Sequence, residues 1–299
     1  MTFRQLEIFL AVAREGSFSL AARKVHLSQP TMSEHVRELE RELGKPLFAR
    51  RGRAVGLTEA GRVLEPYAAR VVAAVGDARQ AVVEVDGLAR GSLLIGASTT
   101  PGIYVLPAVI GAFWRRYPGI DLRLEIANSR LIEERIRADE LDLGVVGGHG
   151  LAPREQCLAA GLLDELVLIA SIKHPWAGQR AVAPERLVEE RVLVREEGSA
   201  TRQVTERALQ AAGVVLRRTM QLGHTEAIKQ AVMAGLGVAF VSRYSIRGEV
   251  ETRRLAVVTM KGLRVQRHFH VIHNERRGLQ ASARAFMALL ETSGSPRRR

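Results

Sequence analysis

Cysteine is nearly absent. Cys157, alone among 299 residues, cannot close an intrachain disulfide, which excludes a two-thiol switch within the chain and a cysteine-rich metal site. No run of about 20 apolar residues occurs, and Met1-Thr2-Phe3-Arg4-Gln5 is amphipathic rather than signal-like. Neither a membrane-spanning nor a secreted protein is expected. The eight histidines are scattered without His-Glu-x-x-His or comparable spacing, and His268-x-His270 offers too few ligands for a metal. A Gly-x-Ser-x-Gly elbow, a P-loop and a dinucleotide fingerprint are also missing, so no catalytic residue, metal or cofactor is expected. Acids are in deficit: 32 stand against 44 Lys and Arg, a formal charge of +12, which favours a polyanionic partner. The length, about twice the ~150 residues of one average domain, predicts two or three domains.

The first sixty residues carry a pattern of their own. Leu6, Phe9, Leu10 and Ala13 predict an amphipathic helix over residues 3–15, interrupted at Glu15-Gly16-Ser17. A short helix follows over 19–25, with Leu20, Ala21 and Val25 turned inward. A three-residue turn, His26-Leu27-Ser28, leads to a third helix over 29–43. Ser28 suits its N-cap, Pro30 its first turn and Gly44 its end, with Val36, Leu39 and Leu43 as the buried stripe. Two short helices around such a turn describe a helix-turn-helix, although periodicity alone suits a generic three-helix bundle equally well. The exposed chemistry separates the two. Gln29, Pro30, Thr31 and Ser33 are compact groups that suit base edges and thymine methyls. Beyond Lys45-Pro46, two short strands flank Arg50-Arg51-Gly52-Arg53, a wing whose guanidiniums fit a narrow minor groove. Residues 1–61 carry ten basic and seven acidic side chains, so the positive field concentrates at that tip.

The runs Gly16-Ser17-Phe18-Ser19-Leu20-Ala21-Ala22, Leu27-Ser28-Gln29-Pro30-Thr31-Met32-Ser33, Leu39-Glu40-Arg41-Glu42-Leu43-Gly44, Leu47-Phe48-Ala49-Arg50 and Leu57-Thr58-Glu59-Ala60-Gly61 closely resemble the LysR-type transcriptional regulators. The resemblance implies an N-terminal all-α winged helix-turn-helix over 1–58. It also implies that Ser28, Gln29, Pro30, Thr31, Ser33 and Arg37 meet the major groove of double-stranded DNA, with Arg50 and Arg53 at the minor groove. Acidic Glu34 and Glu38 depart from the basic or neutral residues of many relatives.

Residues 59–88 predict one long linker helix, capped by Thr58 and ended by Gly87. Leu64, Ala68, Val71, Val75, Ala78, Val82 and Val85 recur at alternating intervals of four and three, the a/d seam of paired helices. Packing against its own domain is the alternative use of this stripe, and Pro66 removes one backbone bond near the start. LysR-type relatives dimerise through this helix. The resemblance implies a dimer, assembled as a dimer of dimers, that works in the cytoplasm at the nucleoid without membrane contact and with RNA polymerase as a further partner.

After a hinge at 89–91, strands and helices alternate, which predicts parallel-rich α/β sheets in two lobes with a cleft between them. The whole chain is therefore α/β, and this part fits the type-2 periplasmic-binding-protein fold that LysR-type effector domains resemble. The resemblance assigns 92–162 plus 268–299 to one lobe and 163–267 to the other. Ser98, Thr99 and Thr100 follow the first strand, Asn128 and Ser129 start a helix, and Ser199, Thr201 and Arg202 start another, while Gly147 permits close backbone approach. Hydroxyls at converging helix starts predict an anion site, with plain N-capping as the alternative for each. These stretches are similar to LysR-type regulators of sulfur and carbon assimilation, which sense small oxyanions or phosphorylated metabolites. The expected co-inducer is an inorganic oxyanion, a small carboxylate or a phosphorylated metabolite. A solute-binding or catalytic α/β protein with an incidental helical module is the alternative reading.

Overall fold

In a computed structural model of the chain, Thr2 opens helix α1 (Phe3–Glu15) with a reciprocal cap. Its hydroxyl accepts from the Gln5 amide while the Gln5 side chain accepts from the Thr2 amide. Gly16, left-handed at φ 60°, ends the helix. The structure describes residues 1–51, 54–83, 90–148, 155–275 and 278–293. One unit runs over Met1–Val85 and the other over Asp86–Arg137 and Leu141–Arg299.

In the first unit, α2 (Phe18–Lys24) and α3 (Gln29–Leu43) follow, then the antiparallel strands β1 (Phe48–Arg51) and β2 (Ala54–Leu57), then α4 (Glu59–Val83). Helix α1 is buried on two sides. Leu6, Phe9 and Leu10 pack with Leu39, Leu47 and α4, while Ile8 and Val12 pack with Ala21, Ala22, Met32 and Val36. Phe48 joins both clusters, its ring 5.4 Å from Phe9 and 5.6 Å from Phe18. Two expected core residues lie outside: Leu20 is 44% exposed and Leu43 40%. Ala22 and Met32 are buried instead, packed with Ile8, Val12, Ala21 and Val36. Gly61 permits the closest approach, since a Cβ there would stand 2.2 Å from the Leu47 carbonyl oxygen.

The second unit contains β3 (Gly91–Ser98), α5 (Thr99–Tyr104), α6 (Leu106–Arg116), β4 (Ile120–Ala127), α7 (Ser129–Arg137) and β5 (Leu143–Gly147). The long strand β6 (Glu155–Ser171) follows, then β7 (Arg191–Val194), α8 (Ala200–Ala211), β8 (Arg218–Gln221), α9 (Thr225–Met233) and β9 (Val238–Ser242). It ends with α10 (Arg247–Glu251), β10 (Leu255–Val258), β11 (Val265–Asn274) and α11 (Ala281–Ser293). The sheet order is β4-β3-β5-β11-β6-β9-β7-β8, with β10 also on β6. Strand β3 runs parallel to β4 and β5, and β7 runs parallel to β8 and β9, as βαβ crossovers demand. The two long strands β6 and β11 are antiparallel and pass through both lobes.

Each lobe has its own core. Leu93, Ile95, Phe113, Leu143, Val271 and Phe286 belong to the first, and Leu166, Leu168, Trp176, Leu209, Phe240 and Val265 to the second. A third cluster around Ile169, Ile228 and Val241 covers the other face of the second lobe's sheet. Among the described residues, no helix is long and apolar enough to cross a membrane.

Candidate functional site

In the first unit, helix α3 carries the residues expected to meet DNA. The Ser28 hydroxyl accepts from the Thr31 amide at 3.2 Å, fixing the helix start, and pairs with the Thr31 hydroxyl at 2.8 Å. Gln29 donates to the Ser33 hydroxyl at 3.2 Å, one turn along the same face. Gln29, Pro30 and Arg37 are exposed, while Thr31 and Ser33 are half-buried beside buried Met32. Behind them Glu40 accepts from the amides of Leu47 and Phe48 at 2.7 and 3.3 Å, and the Val55 amide donates to the Gly16 carbonyl at 3.0 Å. These bonds fix strands β1 and β2 against the helices. Arg53 lies outside the described residues, as does the side chain of Arg50.

The expected seam of α4 divides. Ala68 is buried in the core of this unit and half-buried Leu64 packs against it. Val71 and Ala78 are exposed, Val75 is half-buried, and Val82 is 72% exposed. Val85 lies outside the described residues.

In the second unit, Ser98, Thr99, Thr100, Asn128, Ser129, Ser199 and Thr201 line one pocket. Two residues missing from the sequence-based set, Arg195 and Arg267, line it too. Both guanidiniums are buried, 4% and 5% exposed, and both reach across the cleft. Arg195 donates to the hydroxyls of Thr225 at 2.6 Å and Thr99 at 3.2 Å, and its Nε and Nη2 hold Glu196 at 2.8 and 2.9 Å. Arg267 donates to Thr100 and Thr201, each at 3.1 Å, and from Nε to Asp164 at 2.8 Å. The Ser242 hydroxyl donates to the other Asp164 oxygen at 2.6 Å.

Burial pushes the Asp164 carboxyl above its usual range, against the opposing pull of Arg267 and Ser242. Burial draws Arg267 down, but a guanidinium that starts so high stays charged. The pocket therefore holds two charged guanidiniums at buried depth, each paired with a carboxylate.

The starts of α5 and α8 carry no side-chain cap: Ser98 and Ser199 stand at their N-cap positions, yet neither side chain makes a capping bond. The Ser129 hydroxyl at the start of α7 is buried without a partner. Asn128 does cap its helix, accepting from the Leu131 amide at 3.0 Å. Plain N-capping thus accounts for Asn128 and not for the three serines. Unfilled N–H groups at the start of the 12-residue α8 present partial positive charge, whereas at α7 the Arg130 amide donates to the Gly198 carbonyl at 3.2 Å and the Leu131 amide to Asn128.

Two sequence-predicted residues lie elsewhere. Arg202 follows Thr201 on α8, so about 100° of helical rotation turns it away. It donates to Glu206 at 2.7 Å and Gln221 at 2.9 Å. Gly147 does not line the pocket, but a Cβ there would meet Arg267 Nη1 at 2.8 Å. Its bare Cα makes room for the guanidinium. A sequence signal for Arg267 did exist. Strand β11 alternates buried and exposed positions from Val265, and Arg267 takes the buried phase directly opposite buried Asp164 on β6. A charge on the apolar phase of a strand requires a partner or a ligand.

Comparison with known proteins assigns both units. Residues 3–62 match the lysR family of bacterial regulatory helix-turn-helix proteins, and residues 86–294 match the LysR substrate binding domain. The chain is 38% identical over 288 residues to a RuBisCO operon transcriptional regulator of Allochromatium vinosum, covering 96% of this chain and 94% of that one. It is 36% identical over 291 residues to the HTH-type transcriptional regulator CbbR of Rhodospirillum rubrum, covering 97% of this chain and 96% of that one. Among solved structures, the Synechocystis CcmR regulatory domain in complex with 2-PG is 27% identical and has a TM-score of 0.64, covering 70% of this chain and 99% of that one. Full-length CbnR complexed with its target DNA shares the fold at a TM-score of 0.69 and 22% identity, covering 98% of this chain and all of that one. The chain belongs to the LysR family of bacterial transcriptional regulators, with an N-terminal DNA-binding helix-turn-helix and a C-terminal domain of the kind that binds small effectors.

Proposed function

We propose that the chain regulates a carbon-assimilation operon by reading its promoter through α3 and sensing a small anion between the two lobes. The promoter assignment rests on relatives named as RuBisCO operon regulators. In this reading residues 1–58 bind DNA, 59–88 form the linker, 89–91 the hinge, and 92–162 with 268–299 and 163–267 the two lobes. Gln29, Pro30, Thr31, Ser33 and Arg37 meet base edges and flanking phosphates, Ser28 holds the helix start, and Arg50 and Arg53 enter the minor groove. The stripe of exposed Val71, Ala78 and Val82 with half-buried Val75 pairs with a second copy, and the dimers pair again. RNA polymerase is then contacted at the promoter, in the cytoplasm at the nucleoid.

One observation carries the anion reading: two buried guanidiniums, three serine hydroxyls that cap nothing and the open start of α8 line one pocket. The 2-PG complex of the related CcmR domain supports the same use. An anion that binds one lobe arrangement better than another shifts the population between them, and only that difference in affinity moves the DNA-binding modules. Isothermal titration of the full chain with sulfate, phosphate and small dicarboxylates tests this. Binding of at least one anion is expected. Binding of an uncharged ligand, with no anion bound, overturns the reading.

A further inference from the structure

The two buried arginines hold their counter-ions very differently. Asp164 is fully buried, stands opposite Arg267 in the β6–β11 ladder, and accepts from both Arg267 and Ser242. It is locked in place. Glu196 holds the Nε and Nη2 edge of Arg195 at 2.8 and 2.9 Å, yet its side chain is 21% exposed, and among the described residues no other side chain holds it. Arg195 keeps independent anchors in Thr225 and Thr99 at 2.6 and 3.2 Å, so it stays in position without Glu196. With both carboxylates in place, the charges of the two guanidiniums are balanced. An anion that approaches Arg195 meets a carboxylate already seated on its Nε and Nη2 edge.

We propose that Glu196 is an internal competitor for the effector. Its carboxylate occupies the Nε and Nη2 edge of Arg195 in the resting protein. The effector's anionic group replaces it there as Glu196 turns to solvent. The proposal rests on the anion reading of the pocket and adds its specificity. A monocarboxylate merely equals the group it displaces, whereas a dianionic phosphoryl or sulfuryl group brings a second charge and wins the exchange. Glu196 thereby sets an affinity threshold and favours dianions.

The test titrates the full chain and the Glu196→Gln and Arg195→Gln variants with inorganic phosphate and with acetate by calorimetry, in a buffer free of other oxyanions. Thermal melts without added anion verify that each variant is folded. Glu196→Gln is expected to bind phosphate about tenfold more tightly than the parent and to bring acetate into measurable range, while Arg195→Gln loses phosphate binding. A role in merely orienting Arg195 predicts the reverse sign, weaker phosphate binding in Glu196→Gln. Equal or weaker binding there, with the parent still binding, overturns the competitor and leaves the anion site standing. If neither the parent nor Glu196→Gln takes phosphate, the proposal falls, and the anion reading falls with it only if sulfate and the dicarboxylates also fail to bind.

Discussion

Replacing Arg267 by Met isolates the buried ion pair that underlies the pocket. The substitution leaves Asp164 at 0% exposure with Ser242 as its remaining donor, and removes the donor to the buried Thr100 and Thr201 hydroxyls. Breaking a buried pair from one side costs about 3–5 kcal/mol, because a charge is left without compensation. That is a large share of the roughly 5–15 kcal/mol that holds a domain folded. Removing both charges, in Arg267→Met with Asp164→Asn, is expected to recover most of the loss, since a matched neutral pair leaves no stranded charge. The sign with pH follows from Asp164. Its folded pKa is raised by burial, so the native state binds the proton more readily than the unfolded chain. The penalty of the single variant therefore shrinks as pH falls through the raised pKa of Asp164. Urea titration of the full chain followed by tryptophan fluorescence is the assay, because Trp114 and Trp176 both lie in the second unit and Trp176 is buried. A single-variant loss below about 1 kcal/mol, or a double variant as unstable as the two single losses combined, refutes the reasoning.

Three further outcomes follow from other elements. Ser129→Ala removes a hydroxyl that has no partner, so unfolding by urea should be unchanged within about 0.5 kcal/mol while calorimetric phosphate affinity falls severalfold. A loss of stability with unchanged affinity would contradict this. Val71→Lys charges an exposed position on α4, so sedimentation should report loss of self-association with an unaltered circular dichroism spectrum. Gly61→Ala drives a Cβ against the Leu47 carbonyl oxygen and should cost about 1–3 kcal/mol by thermal melting, while Gly76→Ala, where a Cβ meets nothing, should not.

Much of the architecture is local and hence legible. The predicted third helix matches α3 residue for residue, because Ser28 and Gly44 punctuate it chemically. The exposed leucines of α2 and α3 are less legible: periodicity assigns a face, but interhelical distance decides which residues on it are covered. The seam of α4 shows the same limit, since one stripe serves two purposes along its length. In the second unit the strand–helix alternation yields the lobes but not the antiparallel crossing strands, whose pairing joins residues over 100 positions apart, as in Arg267 with Asp164. The hydroxyls of the pocket follow strands in sequence and so can be found by scanning helix starts. Arg195 and Arg267 sit at a strand end and within a strand, and only the tertiary fold turns them onto those hydroxyls.

The claim that α3 reads sequence is tested most directly by fluorescence anisotropy at moderate salt. The full chain and Gln29→Ala are each titrated with the chain's own promoter and with a random duplex. The parent is expected to prefer the promoter by a factor on the order of 10³ or more, and Gln29→Ala to lose about 1–3 kcal/mol of that preference. Equal affinity of the parent for both duplexes, or an undiminished preference in Gln29→Ala, contradicts it.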